Sequence, residues 1–368
     1  MFVTKVYLDN FRNYESLELN FDEGMHLFFG NNAQGKTNLI EAIFLAAMGK
    51  SFRAGNDNDL IHWKAIEGKI AVFFSNKVAE NEVSFILRRN ERRESILNRK
   101  NVRNREIIGA LNAVLFSPED LWLVKGNPSG RRRFIDFSLS QSDPLYYQNL
   151  IKYNRTLIQR NHLLKNINEG LEKRNLLEPW NEQLVSLATK IVWSRIERIE
   201  LLLKEGNSIH EKITAGAEKI SARYFIYGEN ENRIEKEQYE NWYRERIASL
   251  CNKDILRGTT DCGPHKDDIE FGINSYDAKL FASQGQQRTI VLALKMAEIE
   301  IMHTIKGEYP ILLLDDVMSE LDEKRKKNLV EAISGKVQTF ITGAGELDCL
   351  RLVKHNCYHI SGGQVYQS

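Results

Sequence analysis

Hydrophobic and polar positions change their spacing three times along the chain. Residues 2–8 and 15–21 alternate apolar and polar side chains, the two-residue period of half-buried strands, with a turn over Asn10 to Tyr14 between them. Met25 to Phe29 is a short apolar run suited to a buried strand, and Leu39, Ile40, Ile43, Phe44 and Ala47 then recur at helical spacing until Gly49. Residues 69–74 and 82–89 read as further strands, with a third near Ser95 to Leu97. From about Pro144 to Leu256 the pattern becomes helical, carried by Leu184, Leu187, Ile191, Ile196, Ile199 and Leu203. A helix pair with arms of about 50 residues would reach roughly 75 Å, but Gly170, Pro179 and Gly206 are expected to break the run well before that. The stretch is therefore predicted to be a compact helical lobe and not a rod. The final hundred or so residues return to strands and helices, with apolar strands at Ile311 to Leu314 and near Thr339 to Thr342. The expected fold class is α/β, in three parts: residues 1–140, a mainly helical insert over 141–257, and residues 258–368.

Composition narrows the classes of function. The 368 residues carry 51 Lys+Arg against 50 Asp+Glu, a net charge of +1, so any nucleic-acid binding must be local. No window approaches 18 consecutive apolar residues, and the first residues lack the apolar stretch of a signal peptide; the expectation is a soluble, cytoplasmic protein with no membrane partner. The 4 cysteines form no C-x-x-C pair, which leaves free thiols as the simplest reading.

The chemistry lies first in Gly30-Asn31-Asn32-Ala33-Gln34-Gly35-Lys36-Thr37, which fits the phosphate-loop pattern G-x-x-x-x-G-K-[ST] at every fixed position. Strand, glycine loop and helix arrive in the required order. Gly30 and Gly35 let the backbone curl so that N–H groups meet phosphate oxygens, and the helix N-terminus adds the positive end of its dipole. Lys36 is placed to bridge the β- and γ-phosphates, and Thr37 to put a hydroxyl on Mg²⁺.

Near the other end, Ile311 to Leu314 runs into Asp315-Asp316, a buried strand ending in two carboxylates. That is the form of a Walker B motif, with Asp315 assigned to the metal and Asp316 to the attacking water. Ser319-Glu320-Leu321-Asp322 follows and resembles the D-loop of ABC-type ATPases, marked by Ser319 and Asp322. Upstream, Ser283, Gly285 and Gln286 fit the S-x-G-Q signature of that class at the start of a helix. The resemblance implies that this signature acts in trans, on the phosphate loop of a second copy. Ser361-Gly362-Gly363-Gln364 looks closer to the ideal signature, but too few residues follow it to build a helix, so it reads as a Gly-Gly turn between two strands.

Taken together, the chain resembles the RecF family of bacterial recombinational repair over nearly its whole length. The segments that carry the likeness are Asn10 to Tyr14, Gly30 to Ile43, Phe116 to Leu121, Lys125 to Pro128 leading into Arg131 to Asp136, Cys262 to Asp268, Ser283 to Gln286 and Leu314 to Asp322. The resemblance implies an ABC-type ATPase head formed from the N- and C-terminal segments and related to SMC proteins, with the helical lobe inserted. It implies ATP and Mg²⁺ as cofactors, an ATP-induced homodimer on double-stranded DNA at gaps, and weak DNA-stimulated hydrolysis that releases it. It further implies association with RecR and, directly or indirectly, RecO, to help load RecA during DNA repair and replication restart, in the setting of the SOS response. Several positions depart from the general ABC pattern: the second acid is Asp316 where most carry Glu, the switch position is Thr342 where His is usual, and only Glu119 stands near the expected place of a Q-loop glutamine. Arg12 either reaches a nucleotide phosphate from its turn or is a surface arginine.

Between Arg88 and Arg105 eight basic residues stand against Glu91 and Glu94, which leaves the rest of the chain at −5. Arg92, Arg93, Arg99, Lys100, Arg103 and Arg105 are the DNA-contact candidates; the other reading is a solvated hairpin with charged faces, and the clustering favours DNA. Arg131 to Arg133 is a second candidate that could instead pair with nearby carboxylates. Among other functions, a membrane-transporter ATPase would carry a His switch and no basic hairpin, and an SMC-like structural protein linking DNA segments would need a long heptad rod. A non-hydrolysing ATP sensor stays open.

Overall fold

The computed structural model describes residues 1–229, 235–345, 347–351 and 353–367. In chain order the elements begin with β1 (Phe2–Phe11), β2 (Tyr14–Asn20), β3 (Met25–Phe29), α1 (Lys36–Met48), β4 (Glu67–Ser75), β5 (Glu80–Arg88), β6 (Glu94–Leu97), β7 (Lys100–Asn101) and β8 (Ala113–Phe116). There follow α2 (Trp122–Lys125), α3 (Pro128–Ser142), α4 (Pro144–Asn168), α5 (Glu178–Thr214), β9 (Ile220–Phe225), α6 (Tyr239–Arg257), β10 (Asp268–Ile273), β11 (Tyr276–Asp277) and α7 (Ala278–Phe281). The chain closes with α8 (Gln284–Lys306), β12 (Ile311–Leu314), α9 (Glu323–Ile333), β13 (Thr339–Gly343), β14 (His355–Ser361) and β15 (Gln364–Gln367).

The chain divides into two compact units: Met1–Leu121 with Ser208–Ala217 and Gln284–Ser368, and Trp122–Asn207 with Glu218–Ser283. The second unit thus begins before the expected residue 141 and ends after 257. The reason is packing: α3 lies against α4 and β10, so the segments flanking the helices share their core.

The first unit holds two six-stranded sheets. One is antiparallel in the order β2-β1-β4-β5-β6-β7; the other runs β15-β14-β3-β13-β12-β8, with four of its five pairings parallel and the edge β14–β15 hairpin antiparallel. Helix α1 packs against β4 of one sheet and β8 and β13 of the other. Every residue from Leu39 to Met48 is therefore buried, and the helix is apolar nearly all round, as a helix covered on both faces must be. Gln338 stitches strands together from the buried side: its Oε1 accepts from the Val3 N–H at 2.6 Å, and its Nε2 donates to the Val3 carbonyl at 2.9 Å.

The second unit is helical with a three-stranded antiparallel sheet, β11-β10-β9, that the helical periodicity did not reveal. Helix α5 also corrects the expected break at Gly206, since it runs 37 residues through that position. An interior glycine costs a helix only about 1 kcal/mol, and the buried stripe of Ile199, Leu202 and His210 continues past it. Gly170, by contrast, does follow the end of α4, at φ 76°. The Cys262 to Asp268 segment is the polar heart of this unit. Tyr153 Oη lies 2.6 Å from His265 Nδ1, and Tyr224 Oη donates to Asp267 Oδ2 at 2.9 Å. Burial pushes the Asp267 carboxyl up to about 6 and the His265 imidazole down to about 4. Arg195 spans Asp136, at 3.0 Å, and the Pro264 carbonyl, at 2.7 Å. Arg131 is buried against Asp268 at 2.7 Å, so the carboxylate-pairing reading holds for that arginine. Among the described residues no helix is long and apolar enough to cross a membrane, and all four cysteines are free.

Arg160 and Asp254 form a fully buried ion pair at 2.8 Å, supported by Thr260 and Asn181. Removing the cation strands a carboxylate without water. Arg160→Ala should lower stability by about 3–5 kcal/mol, read as a fall in the thermal midpoint; an unchanged midpoint would contradict the assignment.

Candidate functional site

Strand β3 is buried and lies between β13 and β14, so the loop that leaves it at residue 30 starts from a fixed point in the parallel sheet. Both loop glycines are required by space as well as by conformation. A Cβ on Gly30 (φ 147°) would stand 2.3 Å from the Ile360 carbonyl oxygen, and one on Gly35 (φ 119°) would stand 2.7 Å from the Asn13 side chain. Helix α1 opens immediately after Gly35, and its first turn carries no acidic residue, which leaves the positive end of its dipole facing the loop. Asn31, Asn32 and Ala33 form the exposed crest, with Ala33 left-handed at φ 63°. Lys36 curls back beneath them, its Nζ donating to the carbonyls of Gly30 at 2.6 Å and Asn31 at 2.8 Å. Partial burial lowers the pKa of this ammonium, against the opposing pull of Asp316 and Asp315.

The second half of the site comes from β12. One strand, β13, separates it from β3, and the three ends supply the polar groups. Asp315 Oδ1 accepts from Thr37 Oγ1 at 2.9 Å and from Thr342 Oγ1 at 2.9 Å. Thr342 in turn accepts from the Asp316 N–H at 2.9 Å. Residues 278 positions apart thus meet through one carboxylate oxygen. Burial raises the Asp315 pKa, with the two threonine hydroxyls partly offsetting it. Asp316 adopts a left-handed conformation at φ 54° and its side chain is exposed, so the two neighbouring acids face different surroundings. A hydroxyl and a carboxylate are hard oxygen donors of the kind Mg²⁺ takes while keeping several waters, so Thr37 and Asp315 fit the metal expected there.

The expected D-loop is linked within the first unit to the start of α8, which carries Gly285 and Gln286 of the expected signature; Ser283 falls in the second unit. Ser319 Oγ donates to the Asp316 carbonyl at 2.7 Å, and Asp322 caps α9 by accepting from the Arg325 N–H at 2.9 Å. Arg325 then reaches α8, donating to Thr289 Oγ1 at 2.9 Å and to the Gly285 carbonyl at 3.1 Å. Arg288 of α8 pairs with Glu320 at 2.6 Å. The start of α8 and the segment after the two acids are therefore directly cross-linked. Ser283 is exposed and Gln286 half-buried; α8 opens at Gln284.

Other expected residues are placed differently. Arg12 is committed to Glu41 of α1, through Nε at 2.8 Å and Nη2 at 2.7 Å, and its Nη1 donates to the Asp59 carbonyl at 2.7 Å. Glu41 is fully buried and also accepts from Ser51 Oγ at 2.5 Å. A single carboxylate in an apolar helical run needs such a partner, and Glu41 within that run is the sequence signal for the pair. Of the DNA-contact candidates, Arg93 is held by Asp57 at 3.3 Å and by the Gly49 carbonyl, and lies over the Phe85 ring. Arg92, Arg99, Lys100, Arg103 and Arg105 are exposed around the β6–β7 edge. Arg105 comes within 3.9 Å of Glu106. Glu119 is exposed, while its neighbour Asp120 pairs with Lys295 of α8 at 2.9 Å.

The raised Asp315 pKa has a definite sign for stability. The folded carboxyl holds its proton more readily than the unfolded one, so the ionised form subtracts stability above that range, and the loss is relieved as pH falls toward the unfolded value. Asp315→Asn should therefore raise the thermal midpoint of the ligand-free protein at neutral pH, with the gain shrinking in acid, while removing Mg²⁺-dependent nucleotide binding. A lower midpoint at neutral pH would show that the carboxylate is structural.

The chain matches the model of the RecF/RecN/SMC N-terminal domain over residues 2–349. It is 40% identical over 367 residues to the DNA replication and repair protein RecF of Bacillus cytotoxicus, covering 99% of this chain and 98% of the relative. Among solved structures it is similar to the recombination mediator protein RecF-ATP in the RecFOR pathway, at 34% identity and TM-score 0.92, covering 100% of this chain and 97% of that one. An Smc head bound to the C-winged helix domain of ScpA matches at TM-score 0.56 and 17% identity, covering 100% and 98%, which shows the shared fold. The fold is thus an ABC-type ATPase head, and the chain belongs to the RecF family.

Proposed function

We propose that this protein is an ATP-switched DNA-binding ATPase of recombinational repair and replication restart. ATP with Mg²⁺ closes a homodimer on double-stranded DNA at gaps, RecR and RecO act with it to help load RecA, and slow hydrolysis releases it. The observation that carries the nucleotide part is the convergence of Thr37, Asp315 and Thr342 on one carboxylate oxygen beside the phosphate loop. The relatives' names supply the pathway: repair and replication for the curated proteins, ATP and the RecFOR pathway for the solved structure.

The chain's own residues divide the work by position. The loop backbone and the α1 N-terminus bind phosphate, and Lys36, already stripped of part of its hydration, exchanges two backbone carbonyls for phosphate oxygens. Bound Mg²⁺ would supply charge neutralisation on the β- and γ-phosphates. Asp316 stands exposed at the strand end, where its carboxylate can orient the attacking water and accept its proton. An Asp reaches one methylene less far than the usual Glu, which accords with slow turnover. The tie from Arg325 and Arg288 carries any shift at the two acids to the signature that a second copy would use.

The nucleotide part is tested by sedimentation with and without ATP: Lys36→Ala should abolish ATP-dependent dimers, and dimers of wild-type affinity would sink the assignment. For DNA, the exposed cations at the β6–β7 edge are the supporting feature, and Arg93 is excluded from the test because it holds local structure. Reversing Arg92, Arg99 and Lys100 to Glu should weaken duplex binding and flatten the slope of log affinity against log salt by roughly 2–3. An unchanged slope would leave these residues as a solvated hairpin.

A further inference from the structure

The Ser361-Gly362-Gly363-Gln364 stretch is the Gly-Gly turn the sequence suggests, with Ser361 paired to Gln364, but it also touches the phosphate loop. Strand β14 runs parallel to β3, His359 beside Phe29, so the chain leaving β14 passes alongside the loop leaving β3. There the Gly362 N–H donates to Gln34 Oε1 at 2.6 Å, and the Gly363 N–H to the Gln34 carbonyl at 3.3 Å. Asn13 Nδ2 donates to the same carbonyl at 2.8 Å. Asn13 is itself oriented by Asn38 of α1, whose Nδ2 donates to Asn13 Oδ1 at 2.7 Å. One residue further on, the Gly35 carbonyl accepts from Tyr14 Oη at 3.0 Å and from the Leu39 N–H at 3.1 Å. The fit leaves no slack: a Cβ on Gly363 (φ 77°) would lie 2.7 Å from the Asn13 carbonyl oxygen.

These contacts fix a direction. No cis peptide occurs among the described residues, and in a trans peptide the C=O and the next N–H point opposite ways. Holding the Gln34 carbonyl toward Asn13 and Gly363 turns the Gly35 N–H away from them. Holding the Gly35 carbonyl toward Tyr14 and Leu39 does the same for the Lys36 N–H. These are the two donors at the point where loop becomes helix, the place an anion is bound.

We propose that the Gly362–Gly363 turn and Asn13 are positioning elements of the nucleotide site, setting the Gln34–Gly35 peptide for a polyphosphate before it arrives. The inference rests on the nucleotide reading above. It assigns the β14–β15 hairpin a share in affinity, because a loop ordered in advance loses less entropy on binding.

The test compares Mg²⁺-ATP affinity by titration calorimetry with thermal unfolding in the absence of nucleotide. Gly363→Ala forces a left-handed alanine against the Asn13 backbone. Gly335→Ala places the same left-handed strain (φ 70°) after α9, where nothing lies within 4 Å of the added Cβ. Both should lower the midpoint, but only Gly363→Ala should weaken ATP, by about tenfold. Asn13→Ala, which adds no backbone strain, should weaken ATP in the same direction. Wild-type affinity in both Gly363→Ala and Asn13→Ala, or equal loss in Gly335→Ala, would overturn the proposal. A wild-type protein that binds no ATP would overturn the nucleotide reading instead.

Discussion

The hydrogen bonds from Thr37 and Thr342 to one oxygen of Asp315 are the constraint on which the site depends. They require β12, β13 and the start of α1 to end at the same level, and the sheet order β3-β13-β12 delivers that only if segments from both ends of the chain fold together. The carboxylate is held where burial makes its charge unfavourable, a charge that a bound cation would offset. The sandwiching of α1 between two sheets makes the arrangement stiff, since a helix buried from Leu39 to Met48 cannot tilt without breaking core contacts.

Much of this was legible in the sequence, for physical reasons that differ by element. Strand β3, the start of α1 and strand β12 were readable because burial on both faces leaves uninterrupted apolar runs, and the glycines and acids that bound them have few alternative uses. Strand β9 was not readable, because its half-exposed residues sit within a long helical stretch and find their sheet only through β10. Gly206 does not end α5, since a glycine is a weak breaker where the apolar stripe on either side continues. Side-chain roles were least legible: Arg93 and Arg12 look in sequence like free cations, and only the folded chain sets them against Asp57 and Glu41.

The same contrast separates the two polar systems. In the second unit Arg195, Asp136, Tyr224 and Asp267 satisfy one another in the interior, so the Cys262 to Asp268 motif reads as packing of polar groups. In the first unit, the groups that line the phosphate loop are held from behind by Asn13, Tyr14 and the Gly362–Gly363 turn, leaving the crest of Asn31, Asn32 and Ala33 and the Asp316 carboxylate toward solvent. Fully satisfied networks fix a fold; a network satisfied on one side leaves polar groups for a ligand.

The central claim is that distant segments of the chain form one nucleotide site, and hydrogen–deuterium exchange with and without Mg²⁺-ATP tests it most directly. The account predicts that nucleotide slows exchange together in residues 30–42, in 311–316 and in 339–343. Slowing confined to residues 30–42, with the β12 and β13 ends unchanged, would contradict it.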